Sequence, residues 1–255
     1  SLYLLDELGG KRKQFPAASR DELIKEVIGM KARFQTYKDY AEADINTVLN
    51  EEEQTDAMIL QATNFKSILF KNRGKGKFEI SPLPMQAQIS ALYGMVAEDV
   101  NGDGNVDLVI NGNDYGTEVT IGRYDALNGL VLLGDGKGNL KPQSIYNSGF
   151  YIPGNGKALV KLKSASNQPL IAASQNRGPL KLYAWRNPVQ LVNFLPGEVY
   201  ATLIYTDGHK RKVEYFKGDS FLSQSSSYII TSPNLASIIF TDYNKKERTI
   251  TLSNQ

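Results

Sequence analysis

The chain carries two textures of hydrophobic and polar positions. Ser19-Arg20-Asp21-Glu22 reads as a capping box, in which the serine oxygen takes a backbone N–H three residues on and Glu22 reaches back. Leu23, Val27, Met30 and Phe34 follow at three- and four-residue spacing, an amphipathic helical stripe that continues toward Tyr37. Further short helices are expected over 41–49 and 51–57, so residues 1–57 are read as a helical segment or insertion. From about Met58 the texture changes to short apolar runs separated by Gly, Asn and Asp clusters, the pattern of strands and turns. Strands are expected at 59–63, 67–71, 77–81, 94–99, 108–111, 129–133, 139–142, 158–162, 170–173 and 180–185. Beyond about Asn187 a hairpin series follows, with strands at 200–205, 212–216, 227–231, 236–241 and 248–252 and an Asp207-Gly208 turn. This pattern predicts a mainly β chain with an N-terminal helical segment (1–57), a strand-and-turn region (58–186) and a small C-terminal β-domain (187–255).

Composition narrows the chemistry. With 29 Lys and Arg against 27 Asp and Glu, the net charge of +2 is too balanced to drive nucleic-acid binding. The absence of cysteine removes disulfides, thiolate zinc sites and thiol catalysis together. No run is apolar enough to span a membrane as a helix. The chain opens at Ser1 without Met or a signal-like segment, so it is expected to be a processed product or a fragment.

One segment points to a metal. Asp99-Val100-Asn101-Gly102-Asp103-Gly104-Asn105-Val106-Asp107 places oxygen side chains at loop positions 1, 3, 5 and 9, with the backbone carbonyl of Asn105 at position 7. Calcium is a hard cation that takes six to eight oxygens, and a loop curling around it presents them at this spacing. Gly102 and Gly104 permit the curl. An EF-hand would need a bidentate glutamate at position 12, where this chain has Ile110, and its flanks would be helices. Met95-Val96-Ala97 before the loop and Leu108-Val109-Ile110 after it read as strands, so a structural calcium clip is expected.

The Asp99–Val109 text resembles the FG-GAP (VCBS-type) repeat of integrin-like propellers and bacterial surface proteins. Gly112-Asn113-Asp114-Tyr115-Gly116, Gly122-Arg123-Tyr124-Asp125-Ala126 and Leu132-Leu133-Gly134-Asp135-Gly136 look like the large exported FG-GAP proteins of Bacteroidetes. Gly218-Asp219-Ser220-Phe221-Leu222-Ser223-Gln224-Ser225-Ser226 is similar to the ASPIC/UnbV domain of cartilage-acidic-protein-like chains. The resemblance implies a partial β-propeller of FG-GAP blades, the C-terminal fragment of a larger propeller. It also implies an extracellular, periplasmic or outer-membrane surface location. Only one complete acidic loop is present; Asp135 lies in a turn without the other ligands and reads as a plain hairpin.

Catalytic constellations are scarce. His209 is the only histidine, in a turn beside Lys210, Arg211 and Lys212, with no carboxylate placed to orient it. The polar 112–128 segment mixes aromatic and charged groups at Tyr115, Arg123, Tyr124 and Asp125, a composition suited to a glycan or protein ligand and expected to lie beside the metal. The functional expectation is a calcium-stabilised, non-enzymatic binding or scaffold module. A propeller enzyme or accessory acting on polysaccharide is the alternative, and RNA binding by family association is a third.

Overall fold

The structure is a computed structural model that describes residues 3–8, 11–58, 60, 62–117, 119, 122–215 and 217–252. It divides into two compact units, Ser1–Asn64 and Phe65–Gln255. The chain is mainly β, built of several antiparallel sheets, with no closed barrel among the described residues.

In the first unit, β1 (Tyr3–Leu8) and β2 (Lys11–Pro16) form an antiparallel hairpin running from Tyr3↔Pro16 to Leu8↔Lys11. This corrects the helical expectation for the start of the chain. Gly9-Gly10 between the two runs is a sequence signal for a two-residue hairpin that the helical reading passes over. Five short helices follow: α1 (Arg20–Glu26), α2 (Met30–Arg33), α3 (Tyr37–Ala41), α4 (Ile45–Val48) and α5 (Glu51–Gln54). The Ser19–Glu22 capping box is present, and Thr36–Asp39 and Asn50–Glu53 repeat it.

The expected continuous stripe is broken at Val27, which caps α1 in extended backbone and stands 47% exposed. Two β-branched residues followed by Gly29 weaken a helix at this point. Leu23, Met30 and Phe34 still meet, because the break lets separate helices fold onto Ala43 and Val48. Arg33 ties the end of this array together, donating to both carboxylate oxygens of Glu53 at 2.9 Å and to the Val48 carbonyl.

The second unit begins with the hairpin β3 (Ile68–Asn72) and β4 (Phe78–Pro82). No strand forms at the described residues of 59–63, with Leu60 82% exposed; Ile59 and Gln61 lie outside the described residues. An isolated run without a partner cannot satisfy its backbone as a strand. A four-stranded meander follows in sequence order: β5 (Leu92–Glu98), β6 (Asp107–Gly112), β7 (Leu130–Gly134) and β8 (Leu140–Gln143). After the one-turn helix α6 (Ile145–Ser148) come β9 (Gly156–Lys163), β10 (Pro169–Gln175) and β11 (Lys181–Ala184), a three-stranded sheet. Val96, Val109, Val131, Phe150, Leu159, Ile171 and Ala173 form the core between these two sheets.

The last part has two sheets. Strand β12 (Leu191–Asn193), only three residues long and absent from the sequence reading, pairs with β15 (Tyr228–Ile230). Strands β13 (Glu198–Tyr205), β14 (Lys210–Glu214), β16 (Leu235–Asp242) and β17 (Glu247–Thr251) form a sheet in the order β14-β13-β16-β17. The expected 212–216 strand sits two residues earlier, and Phe216 lies outside the described residues. Ala201, Leu203, Tyr205, Ile238 and Phe240 alternate inward to build a second core. Arg248 anchors it at one end, donating at 2.6 and 2.8 Å to the two oxygens of Glu198. Burial pushes the Glu198 carboxyl upward, but Arg248 and the Leu195 N–H together hold it below the usual carboxylate value.

Leu159 is completely buried between the meander and the β9–β11 sheet. Leu159→Ala is expected to lower unfolding stability by about 2–5 kcal/mol, read from the urea midpoint at unchanged slope.

Candidate metal centre and ligand loop

The 99–107 loop connects β5 to β6, and its first and last carboxylates are drawn into the protein. Asp107 opens β6 fully buried, and Asp99 is 7% exposed. The Asp107 carboxylate accepts from Val100 N at 2.9 Å and from Gly134 N at 2.8 Å, joining its own loop to the end of β7. Asp99 accepts from Gly102 N and Gly104 N, each at 2.7 Å, which curls the loop back over it. Gly102 and Gly104 sit at φ +83° and +91°, the left-handed region that side chains disfavour.

The exposed side of the loop is closed by its own side chains. Asn101 Oδ1 accepts from Asp103 N at 3.0 Å, while its Nδ2 donates to Asp103 Oδ2 at 3.0 Å. Asp103 Oδ1 accepts from Asn105 N at 2.7 Å. Among the described residues no three acidic or imidazole side chains converge as a metal-holding group. The oxygens available to a cation are those of Asp99, Asn101, Asp103 and Asp107 with the Asn105 carbonyl, an all-oxygen set of the hard-cation type. Each carboxylate oxygen that takes one N–H keeps a second lone pair.

The electrostatics also bear on the fit. Burial pushes both the Asp99 and Asp107 carboxyls above the usual value, against the backbone N–H groups that favour their charged forms. Asp103 pushes both further up, and the Arg211 charge draws Asp99 back down. Among the described residues none of the three carboxylates has an ion-pair partner within 4.0 Å. Backbone N–H groups, and for Asp99 the Arg211 charge, offset only part of the burial cost of these two carboxylates, and a divalent cation on this all-oxygen donor set would offset more of it.

The tip of the loop is held from far along the chain. Tyr205 OH donates to the Gly104 carbonyl at 3.1 Å, Arg211 Nη1 to the same oxygen at 3.4 Å, and Asn234 Nδ2 to the Asp103 carbonyl at 3.2 Å. The C-terminal part thus hydrogen-bonds the loop's backbone, while the Arg211 charge also acts on the Asp99 side chain. No signal in the sequence points to these three residues, because they lie 101 to 131 positions from their partners. Asp135, by contrast, stays within its own turn. It accepts from Asn139 Nδ2 and from the Asn139 and Lys137 N–H groups, which hold its carboxyl down to about 2.

The 112–128 segment does not lie beside this loop. Asp107 and Gly112 are the two ends of β6, so the segments leave opposite ends of a strand six residues long, about 16 Å at the usual rise. Within it Asp114 and Tyr124 exchange backbone hydrogen bonds at 2.9 and 2.8 Å, which brings the expected residues together. The Arg123 guanidinium lies 4.7 Å over the Tyr115 ring, and its Nε donates to Asp125 at 3.0 Å. Beside them Asp114 accepts from Gly116 N and Tyr93 OH, and Lys157 lies 3.4 Å over the Tyr93 ring. Tyr115 and Tyr124 keep exposed faces, at 37% and 49%, whereas Arg123 and Asp125 are already engaged with their neighbours.

His209 stacks on Tyr205, with ring centroids 4.9 Å apart, in the exposed turn before β14. No protein-family model matches the chain, and no curated protein matches it either.

Two glycines separate the backbone contribution from the packing contribution. A Cβ at Gly104 would lie 2.9 Å from Asn234 Nδ2 and 3.1 Å from the Tyr205 ring, whereas one at Gly102 would meet open space. Gly102→Ala is expected to cost about 1 kcal/mol of unfolding free energy through its left-handed backbone alone. Gly104→Ala is expected to cost about 1–2 kcal/mol more in the same urea titration. The raised carboxyls give a second expectation. Above their folded values both groups are ionised in either state and the burial penalty is fully present. As pH falls through those values the folded protein binds protons first, and the penalty is relieved. Carboxyl-carbon NMR titration in EDTA should therefore place the Asp99 and Asp107 midpoints above the usual 3.8.

Proposed function

We propose that this chain is a calcium-stabilised, exported binding or scaffold module. Residues 58–186 would supply FG-GAP-type propeller blades and residues 187–255 an ASPIC/UnbV-like β-domain, as the C-terminal portion of a larger propeller protein. The observation that carries the reading is the 99–107 loop. Alternating oxygen-bearing side chains stand between two antiparallel strands, and two buried carboxylates have no cationic partner within ion-pair distance among the described residues. Asp99, Asn101, Asp103, Asp107 and the Asn105 carbonyl would hold the ion. Its chemistry would be charge compensation and cross-linking of the loop.

The sheet arrangement supports the blade reading. A propeller blade is a four-stranded antiparallel meander, which is the order of β5 to β8, and β9 to β11 continue the same up-and-down path. The β3–β4 hairpin presents Phe70, Phe78 and Ile80 on one face, at 55% to 59% exposure, as outer strands would if inner strands of their blade belonged elsewhere in the parent protein. For ligand binding, the exposed rings of Tyr115 and Tyr124 at the other end of β6 are the reading's best surface for a glycan or protein partner. No helix among the described residues is long and apolar enough to cross a membrane.

Because the loop is gripped by Tyr205, Arg211 and Asn234, a cation there would brace the blade sheet and the C-terminal sheet at once. An extracellular-type site of Kd about 10⁻⁴–10⁻³ M would add about 1 kcal/mol at millimolar calcium. Titration calorimetry should record one calcium site in that range, abolished by Asp103→Ala with the fold retained by circular dichroism. A wild-type protein silent to several-millimolar calcium removes the metal from the account.

A further inference from the structure

The two facing sheets do not close completely between β7 and β11. They leave a cavity of about 420 Å³ open to solvent on one side. Its floor is core: Val109, Val131, Ile171 and Phe150, each no more than 6% exposed. Trp185, the only tryptophan of the chain, forms a half-buried wall. Tyr183 is fixed beside it, its hydroxyl donating to the Tyr151 carbonyl at 2.5 Å and accepting from Tyr151 N at 3.2 Å. The apolar part is therefore preformed rather than dependent on a side chain swinging aside.

The polar groups at this cavity are neutral apart from one, and they include the Ser148 hydroxyl. The amides of Asn101, Gln143 and Asn147 line it, together with a single charged residue, Arg186, and no Asp or Glu does. Arg186 is exposed and, like Arg177 and Arg211, makes no ion pair among the described residues, but of these three only Arg186 lines this cavity. A concave apolar site of this size with one guanidinium at its edge has the general make-up of a small-molecule site. The planar fork of arginine matches the two oxygens of a carboxylate. We propose that this cavity binds an amphiphilic monocarboxylate, its apolar body against Val109, Val131 and Trp185 and its carboxylate on Arg186.

The charge count selects this occupant. One guanidinium neutralises one carboxylate, and a cationic headgroup in this cavity would meet Arg186 with no Asp or Glu among the lining residues to offset the repulsion. An uncharged apolar segment would leave that guanidinium unused. Val100 and Asn101 belong to both the 99–107 loop and the cavity wall, so the test is run in EDTA to keep any metal at the loop out of the readout.

Trp185 reports on the site without a label. Sodium decanoate and decyltrimethylammonium, which share a tail and differ in headgroup charge, are titrated against tryptophan emission. Decanoate is expected to produce a saturable change, with half-saturation on the order of 0.1–1 mM for a ligand of its size. Arg186→Gln, at an exposed position, should weaken it about tenfold or more, and decyltrimethylammonium should not saturate. Ala184→Phe, an exposed lining position in β11, should abolish decanoate binding by filling the mouth. If decanoate gives no saturable change, or both headgroups bind alike, or Arg186→Gln binds decanoate as the wild type does, the proposal is overturned.

Discussion

The buried carboxylate of Asp107 is the junction on which the meander depends. Placed at the first residue of β6, it accepts from Val100 in the loop behind it and from Gly134 at the end of β7. Both bonds are charge-assisted, and they are made away from water, where an unpaired donor is costly. The surroundings admit little else: a Cβ on Gly134 would lie 2.1 Å from the Val106 carbonyl, so the backbones meet too closely for a side chain. The arrangement trades the cost of a buried charge for a fixed placement of β6, β7 and the loop between β5 and β6. Under the proposed function, a cation at the loop would reduce that cost.

The same loop links the two halves of the second unit. Its tip carbonyls are held by Tyr205, Arg211 and Asn234, while a second link forms where Lys161 of β9 pairs with Glu98 of β5 at 2.7 Å beneath Tyr228. The Lys161 N–H also donates to the Ser225 hydroxyl at 2.9 Å, and the Lys161 carbonyl accepts from Ser226 N at 2.7 Å. These are polar contacts between parts that each keep a separate apolar core. Their geometry is accordingly set by directional bonds more than by burial, and changes at the loop should be felt in the C-terminal sheet.

What the sequence made legible was local. The loop declared itself because its oxygen-bearing residues fall within nine positions, and the strands around it because period-two alternation needs only a few residues to read. The Ser19 capping box was legible for the same reason. The helical stripe through Val27 failed because spacing alone cannot weigh two β-branched residues and a glycine against tertiary folding of α2 onto α1. The β12–β15 pairing, the grip of Asn234 on Asp103 and the cavity around Trp185 all join residues distant in the chain, and no local pattern encodes them. Placing Tyr115 and Arg123 beside the loop failed on topology: a connection before β6 and a connection after it must emerge at opposite ends.

Amide hydrogen exchange across a calcium titration tests the central claim most directly, because the hydrogen bonds that close the loop are themselves the observables. The N–H groups of Val100, Gly102, Gly104 and Gly134 all donate to Asp99 or Asp107. A cation bound by those carboxylates should slow exchange at these four amides together, with a midpoint of about 10⁻⁴–10⁻³ M calcium. Exchange at these amides that is unchanged by calcium would contradict the assignment of the loop as a metal clip.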